Sequence, residues 1–178
     1  MPKEVAARKA AKKMLILTQE NVPKIANEFM LSKSYKVVGS WRREVERPKD
    51  IDILYFGKNL QRLLKRLNGT HKNKWTVYSE GKAKASGIFM SKLGPVKIDI
   101  WQTDSTPDVK SFMIMYATGS SMWNIVMRSI AKKKGMLLNQ YGLFNLDKSG
   151  KRTRIPDLTT ERKIYAALGI KYKQPRDR

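Results

Sequence analysis

The stretch VVGSWRREVERPKDIDILYF, residues 37–56, decides how the rest of the chain is read. It passes through Gly39-Ser40-Trp41-Arg42-Arg43, crosses a charged connection to Lys49, and enters Asp50-Ile51-Asp52-Ile53-Leu54-Tyr55-Phe56. Tyr35 to Ser40 predicts a short strand and Ile51 to Phe56 a second. Alternate strand residues share a face, so Asp50 and Asp52 point the same way, about 6.6 Å apart along the backbone, while Ile51 turns into the core. Two like charges held so close repel unless a cation lies between them. Alone, the pair is more often two solvated aspartates on an exposed strand edge. Upstream, Gly39 allows close backbone approach to a phosphate, Ser40 supplies N–H and O–H donors, and Arg43 adds a bidentate cation.

Moving outward, Val22, Ile25, Ala26, Phe29 and Met30 recur at helical spacing behind a capping segment at Thr18–Asn21. Leu60, Leu63, Leu64 and Leu67 predict an amphipathic helix with Arg62, Lys65 and Arg66 outside. Trp75–Tyr78 and Ala85–Met90 are β-like, Leu93-Gly94-Pro95 is a turn, and Val96–Trp101 is a period-2 strand. That last strand carries Asp99 opposite two isoleucines. If it lies beside Ile51–Phe56, three carboxylates converge on one sheet face. In a chain this poor in acids, such convergence points to divalent metal: two Mg²⁺ ions about 4 Å apart form the clamp of phosphoryl transfer, with Mn²⁺ as a substitute. Asp104 and Asp108 fall at a strand end and before a helix, where Asp serves as a cap.

After Thr106-Pro107 the texture is helical. Val109, Phe112, Met113, Met115 and Tyr116 form one helix. Gly119 interrupts, and Met122 to Ile130 form the next, ending in Lys132-Lys133-Lys134-Gly135, cations against the dipole and then a glycine cap. A hairpin at Leu137–Asn145 and a helix near Thr160–Leu168 follow. The expected class is α+β: a basic tail at 1–14, a helix-supported, mainly antiparallel sheet at 15–104, and a mainly helical subdomain at 105–178.

Composition narrows the function. The chain has 178 residues, 37 Lys+Arg against 15 Asp+Glu, and a formal charge of +22. That excess favours a polyanionic partner. With no Cys and one His, thiolate chemistry, disulfides and His-rich metal sites are excluded, so any metal is a hard ion held by carboxylates. No apolar run approaches membrane length and no secretory signal is seen, which predicts a protein of the cytoplasm or nucleus.

The run Gly39-Ser40-x-Arg-Arg…Asp50-x-Asp52, with Asp99 on a later strand, resembles the nucleotidyltransferase superfamily. Tyr116-Ala117-Thr118-Gly119-Ser120, then Asn124 and Arg128, narrows the resemblance to the family X DNA polymerases, and Leu138–Phe144 is similar to that family's thumb. The resemblance implies a palm followed by a thumb. It implies that Asp50 and Asp52 hold both metals, and that Asp99 holds the catalytic one and helps activate the primer 3′-hydroxyl. Gly39, Ser40 and Arg43 bind the β and γ phosphates of a dNTP, Tyr116 and Gly119 line the sugar, and Asn124 and Arg128 face the nascent base pair. Lys132, Lys133 and Lys134 are either a solvated helix end or, with so much excess charge, DNA contacts. The implied enzyme is a monomeric, template-directed DNA polymerase for gapped or recessed duplex DNA. The alternative is a template-independent nucleotidyltransferase acting on 3′ ends or another acceptor.

Two departures stand out. Ala117 occupies a position where many relatives carry Phe, which opens the sugar pocket. Trp101 replaces an Arg found in some relatives, removing a salt bridge to a catalytic Asp. No lyase segment is recognisable, which predicts no deoxyribose-phosphate lyase activity. Trp75 and Trp123 are expected to pack, while Trp41 and Trp101 stay open between packing and base stacking. Met113, Met115, Met122 and Met127 are expected in helix packing, and His71 in a solvated polar turn.

Overall fold

The computed structural model describes residues 14–31, 33–103 and 105–178. All of the basic tail at 1–14 except Met14, and Asp104, therefore lie outside the described residues. The chain runs α1 (Asn21–Phe29), β1 (Tyr35–Val37), α2 (Gly39–Arg42), β2 (Ile51–Tyr55), α3 (Leu60–Thr70), β3 (Trp75–Glu80), β4 (Lys84–Ser91) and β5 (Gly94–Gln102). It continues with α4 (Pro107–Thr118), α5 (Ser121–Lys133), β6 (Met136–Asn139), β7 (Gly142–Leu146), β8 (Arg152–Arg154) and α6 (Glu161–Ala167), and ends in a 3₁₀ turn at Pro175–Asp177.

Strands β1 to β5 form one sheet in the order β1-β2-β5-β4-β3. Three of its pairings are antiparallel and β2–β5 is parallel, in keeping with the mainly antiparallel expectation. Alternation divides the faces. Ile51, Ile53, Ile98 and Ile100 are fully buried on the back, where they pack with Val22, Ile25 and Phe29 of α1 and Leu60, Leu63, Leu64 and Leu67 of α3. Burying each leucine contributes about 1.5–3 kcal/mol. The front face carries Leu54, which joins Val38 and Met113 in a smaller cluster and so seats α4 on the sheet.

Helix α4 also sends Phe112 and Met115 into a second large core with Met127 of α5, Leu138, Leu143, Ile164 and Tyr165. Buried on two sides, it ties this core to the sheet. The second core holds the three-stranded sheet β6-β7-β8. The predicted hairpin is β6–β7, with Leu138 opposite Leu143. Strand β8 escaped the sequence reading because Arg152-Thr-Arg154 has no apolar member; it forms by pairing with Phe144–Leu146 at an edge.

Three expectations need correction. The strand at Tyr35–Ser40 stops at Val37, because Gly39 adopts φ +63 and turns Gly39–Arg42 into one helical turn. His71 is not solvated. It is 9% exposed, accepts or donates at Nε2 to the Phe29 carbonyl at 2.8 Å, and stacks on the Phe29 ring. That carbonyl sits at the end of α1, where it has no helical partner, so the ring satisfies it. Met122 is 67% exposed rather than packed, since at 100° per residue it falls on the side of α5 opposite the buried Met127 and Ala131. The other expected packers behave as read: Met113, Met115, Met127 and Trp75 are buried, and Trp123 packs beside Tyr165, whose hydroxyl accepts its indole N–H at 2.7 Å. Trp41 is also a packing residue, lying against the back-face core and donating to the Gln19 carbonyl at 3.1 Å.

Candidate active site

The parallel pairing of β2 and β5 puts Asp52 in register with Asp99. Residues in register share a face, so both carboxylates stand side by side on the front of the sheet. Asp50 stands one residue before β2 begins. The buried isoleucines on either side fix this orientation, because a slip of one residue would bury the acids and expose the core.

The turn α2 is wound directly onto this pair. Val38 N–H donates to the Asp52 carbonyl at 2.9 Å, and a Cβ on Gly39 would run into the Asp52 carboxylate. Only glycine fits here, since it also tolerates the left-handed φ. The hydroxyl of Ser40 is buried with no hydrogen-bond partner. Arg43 donates to the Thr118 carbonyl at the end of α4, and Arg42 donates to Thr118 Oγ1 at 2.6 Å. Helix α4 ends at Gly119, φ +71, and α5 restarts with Ser120 Oγ accepting from Trp123 N–H at 3.3 Å. Asn124 Nδ2 reaches back to the Tyr116 carbonyl at 2.9 Å.

One open cleft of about 290 Å³ therefore brings together Gly39, Ser40, Arg43, Asp50, Asp52, Tyr116, Gly119 and Asn124, with Trp101, Ala117, Thr118 and Ser121 completing its wall. Asp99 is 7% exposed and lies beneath it, beside Asp52. Arg128 sits outside, at a hollow shared with Tyr116 and Asn124, and its Nε donates to the Asn124 carbonyl at 3.2 Å. Lys132, Lys133 and Lys134 are exposed at the far end of α5 and border neither hollow. Counted along α5 from Asn124, they stand about 12–15 Å from the cleft.

The charges are unbalanced. Burial, then the charges of Asp50 and Asp99, push Asp52 up to about 6; Trp101, by hydrogen bonding, and Lys84, by charge, only partly offset this. Lys97 Nζ lies 3.1 Å from Asp50 and 4.0 Å from Asp99, and Lys84 Nζ lies 3.0 Å from Asp99. Burial opposes the charge on Lys97, but its hydrogen bond to Asp50 and the nearby carboxylates outweigh it and raise its pKa. Sequence reasoning passed over both lysines. Lys97 was readable, two residues before Asp99 and on the same face. Lys84 was not, because only the β4–β5 register brings it near.

Among the described residues no three acids or histidines are gathered into a ready-made metal cage. The carboxylates lean instead on tethered ammonium groups. The donor set nevertheless fits a hard cation. Asp99 Oδ1 is buried without a hydrogen-bond partner, and the mutual repulsion at Asp52 is the kind a divalent ion relieves.

Comparison with known proteins bears on the family and the fold. The family model of the DNA polymerase beta thumb matches residues 113–178. The Repair DNA polymerase X of a South African tick isolate of African swine fever virus is 30% identical over 153 residues, covering 84% of this chain and 83% of that protein. The enzyme of the same name from a Kenyan pig isolate is 31% identical over the same shares. A solved structure, Leishmania infantum polymerase beta in a ternary P/T complex, superposes with a TM-score of 0.75 over 92% of this chain and 77% of its own, at 20% identity. The fold is that of a polymerase beta palm and thumb. The chain belongs to the family X DNA polymerases and is similar to their repair enzymes.

Proposed function

We propose that the chain extends a primer 3′ end with dNMP on a DNA template, filling short gaps, with pyrophosphate as the leaving group. The observation that carries this reading is the in-register Asp52–Asp99 pair beneath the Gly39–Arg43 turn, with one buried Asp99 oxygen that receives no hydrogen bond. Asp50, Asp52 and Asp99 are the residues that would hold two Mg²⁺, with Mn²⁺ as a substitute. When bound, such ions supply Lewis acidity to the attacking hydroxyl and neutralise charge on the departing phosphates.

The chain's own residues do the rest. Ser40 offers its free hydroxyl, and Gly39 its unobstructed backbone, to the β and γ phosphates. Arg43, anchored to the Thr118 carbonyl, adds charge without losing orientation. Tyr116 and Gly119 form the sugar side of the cleft. Asn124, held to the Tyr116 carbonyl, and Arg128 line the way to the nascent pair, where minor-groove contacts test pair shape rather than sequence. Lys132, Lys133 and Lys134 meet duplex backbone farther out. The palm then comprises residues 15–104 and the thumb-like part 105–178, and the enzyme acts as a monomer on gapped or recessed DNA.

The test offers labelled primer as a single strand, a recessed end and a one-nucleotide gap, with each dNTP and Mg²⁺. Templated addition favoured at the gap, and lost in Asp99→Ala, supports the proposal. Equal addition to the single strand would instead establish a template-independent transferase.

A further inference from the structure

Two buried carboxylates of this molecule are paired in different ways. Glu161 is met by the guanidiniums of Arg42 and Arg178, whose side chains are 17% and 0% exposed, through two hydrogen bonds from the first and one from the second. Planar forks packed this way keep their geometry. The Asp99 side chain is as deeply placed, at 10% exposure, yet the ammonium of Lys84 meets it by one contact, 3.0 Å from Oδ2, on a side chain 41% exposed. Lysine is a point charge on a flexible stem, so such a contact exchanges readily. The other oxygen, Oδ1, is buried and receives no hydrogen bond, with Lys97 Nζ 4.0 Å away.

Register gives Lys84 a second place to sit. It opens β4 directly opposite Trp101 on β5, and opposed residues of an antiparallel pair share a face. Asp99 lies two residues before Trp101 and so on that face too. Lys84 Nζ accordingly lies 4.3 Å from the centre of the Trp101 ring while it pairs with Asp99. An indole face attracts an ammonium without neutralising it. Trp101 and Tyr116 border two hollows. One is the cleft of about 290 Å³ with Asp50 and Asp52; the other, of about 260 Å³, is bordered also by Lys84, Gln140 and Tyr141. By side-chain rotation alone the ammonium can leave the carboxylate, keep the ring, and turn into the second hollow, where the Gln140 amide offers an acceptor. Lys97 differs, since it is held between two acids, 3.1 Å from Asp50 and 4.0 Å from Asp99.

We propose that Lys84 is a displaceable counter-ion: it neutralises Asp99 in the metal-free protein and crosses the Trp101 ring into the second hollow when a divalent cation takes the carboxylates. Lys84 thereby sets how tightly the site takes its metal. The inference rests on the reading of Asp50, Asp52 and Asp99 as the metal-holding set. An entering ion must break the Lys84 pair and then tolerate a positive charge that stays tethered nearby. At a solvated rim, one unit charge a few ångströms from a divalent ion changes affinity on the order of 10-fold. The formal charge of +22 repels cations as well, so the effect of Lys84 has to be separated from that of net charge.

The experiment uses full-length protein without DNA or nucleotide. Free Mn²⁺ is followed by electron paramagnetic resonance as it is titrated into the wild type, Lys84→Met, Lys84→Arg and Lys92→Met. Lys84→Met keeps the stem and removes the charge, and should bind Mn²⁺ on the order of 10-fold more tightly. Lys84→Arg should bind as the wild type does. Lys92→Met removes an equal charge just beyond the opposite end of β4 and should change the affinity far less. In the wild type, Mg²⁺ should also shift indole emission, and Trp101→Phe should abolish that shift; no shift in the wild type overturns the proposal without any Lys84 variant. In chelator Lys84→Met should melt below the wild type, and Mn²⁺ should raise its Tm by more than it raises that of the wild type. Equal affinity in all four proteins, weaker binding by Lys84→Met, or an equal gain in Lys92→Met overturns this inference and leaves the carboxylates as metal ligands. Absence of metal binding in every protein overturns both.

Discussion

Replacing Glu161 by Gln should loosen the joint between the two halves of the molecule. The Glu161 side chain, 10% exposed, accepts from Arg42 at 3.1 and 2.5 Å and from the terminal residue Arg178 at 2.7 Å. The Arg42 and Arg178 side chains are 17% and 0% exposed. Burial opposes ionisation of Glu161, but the hydrogen bond from Arg42 and the charges of Arg178 and Arg42 outweigh it and hold the carboxyl below its usual range. Removing that charge leaves two guanidiniums without a counter-ion. Breaking a buried pair this way costs about 3–5 kcal/mol. Gln keeps one acceptor oxygen and the Arg42–Thr118 bond survives, so the low end applies, about 3 kcal/mol. At about 2–4 °C per kcal/mol for a chain of this size, Tm should fall by about 6–12 °C at neutral pH. A carboxyl with a depressed folded-state pKa stabilises fully above its unfolded value, and that stability is lost as pH falls through the folded one. The gap between wild type and Glu161→Gln should therefore close on acidification below 4.5, the ordinary value for Glu. Thermal unfolding followed by circular dichroism across this range checks it. A drop below about 2 °C at neutral pH, or a gap undiminished in acid, would refute the reasoning.

Three further outcomes are expected. Gly39→Ala should lower incorporation on the order of 100-fold while the protein still folds, because the new Cβ displaces the Asp52 carboxylate and the left-handed φ adds strain; single-turnover kinetics beside a melting curve will show whether the two effects separate. For Asp52, raised to about 6, the fold favours the protonated form, so stability in chelator is lost as pH rises from the ordinary 3.8 through 6. Asp52→Asn should then gain about 2–3 kcal/mol above that window and nothing below it, with incorporation abolished; a pH-independent Tm difference would count against the assigned cause. Ala117→Phe should fill the sugar side of the cleft and raise discrimination against ribonucleotides on the order of 10–100-fold, read as the ratio of kcat/KM for dNTP and rNTP; an unchanged ratio would remove Ala117 from the sugar pocket.

Much of the site was legible along the chain because its signals are local. Period-2 alternation in Asp50-Ile51-Asp52-Ile53 says which side chains share a face. Gly119 announces the break between two helices, and Gly135, at φ +69, follows the triple lysine as a cap should. Less legible were residues whose role depends on a distant neighbour. His71 looked like a polar turn residue because its partner, the Phe29 carbonyl, lies 42 positions away. Trp101 looked like the loss of a charge, yet it walls the cleft and holds Lys84 Nζ 4.3 Å from its ring centre.

The sequence by itself determined most of the elements, the two faces of the sheet, the carboxylates and the excess of +22, because alternation, capping and composition are written within a few residues or summed over all of them. Tertiary structure alone decided the parallel register that sets Asp52 beside Asp99, and the strand pairing that brings Lys84 to Asp99. It also decided the buried junction of Arg42, Glu161 and Arg178 and the placing of one cationic helix behind the sheet. Those are distances between residues far apart in the chain. They become fixed only when apolar faces pack, and packing then charges the buried polar groups with finding partners across the fold.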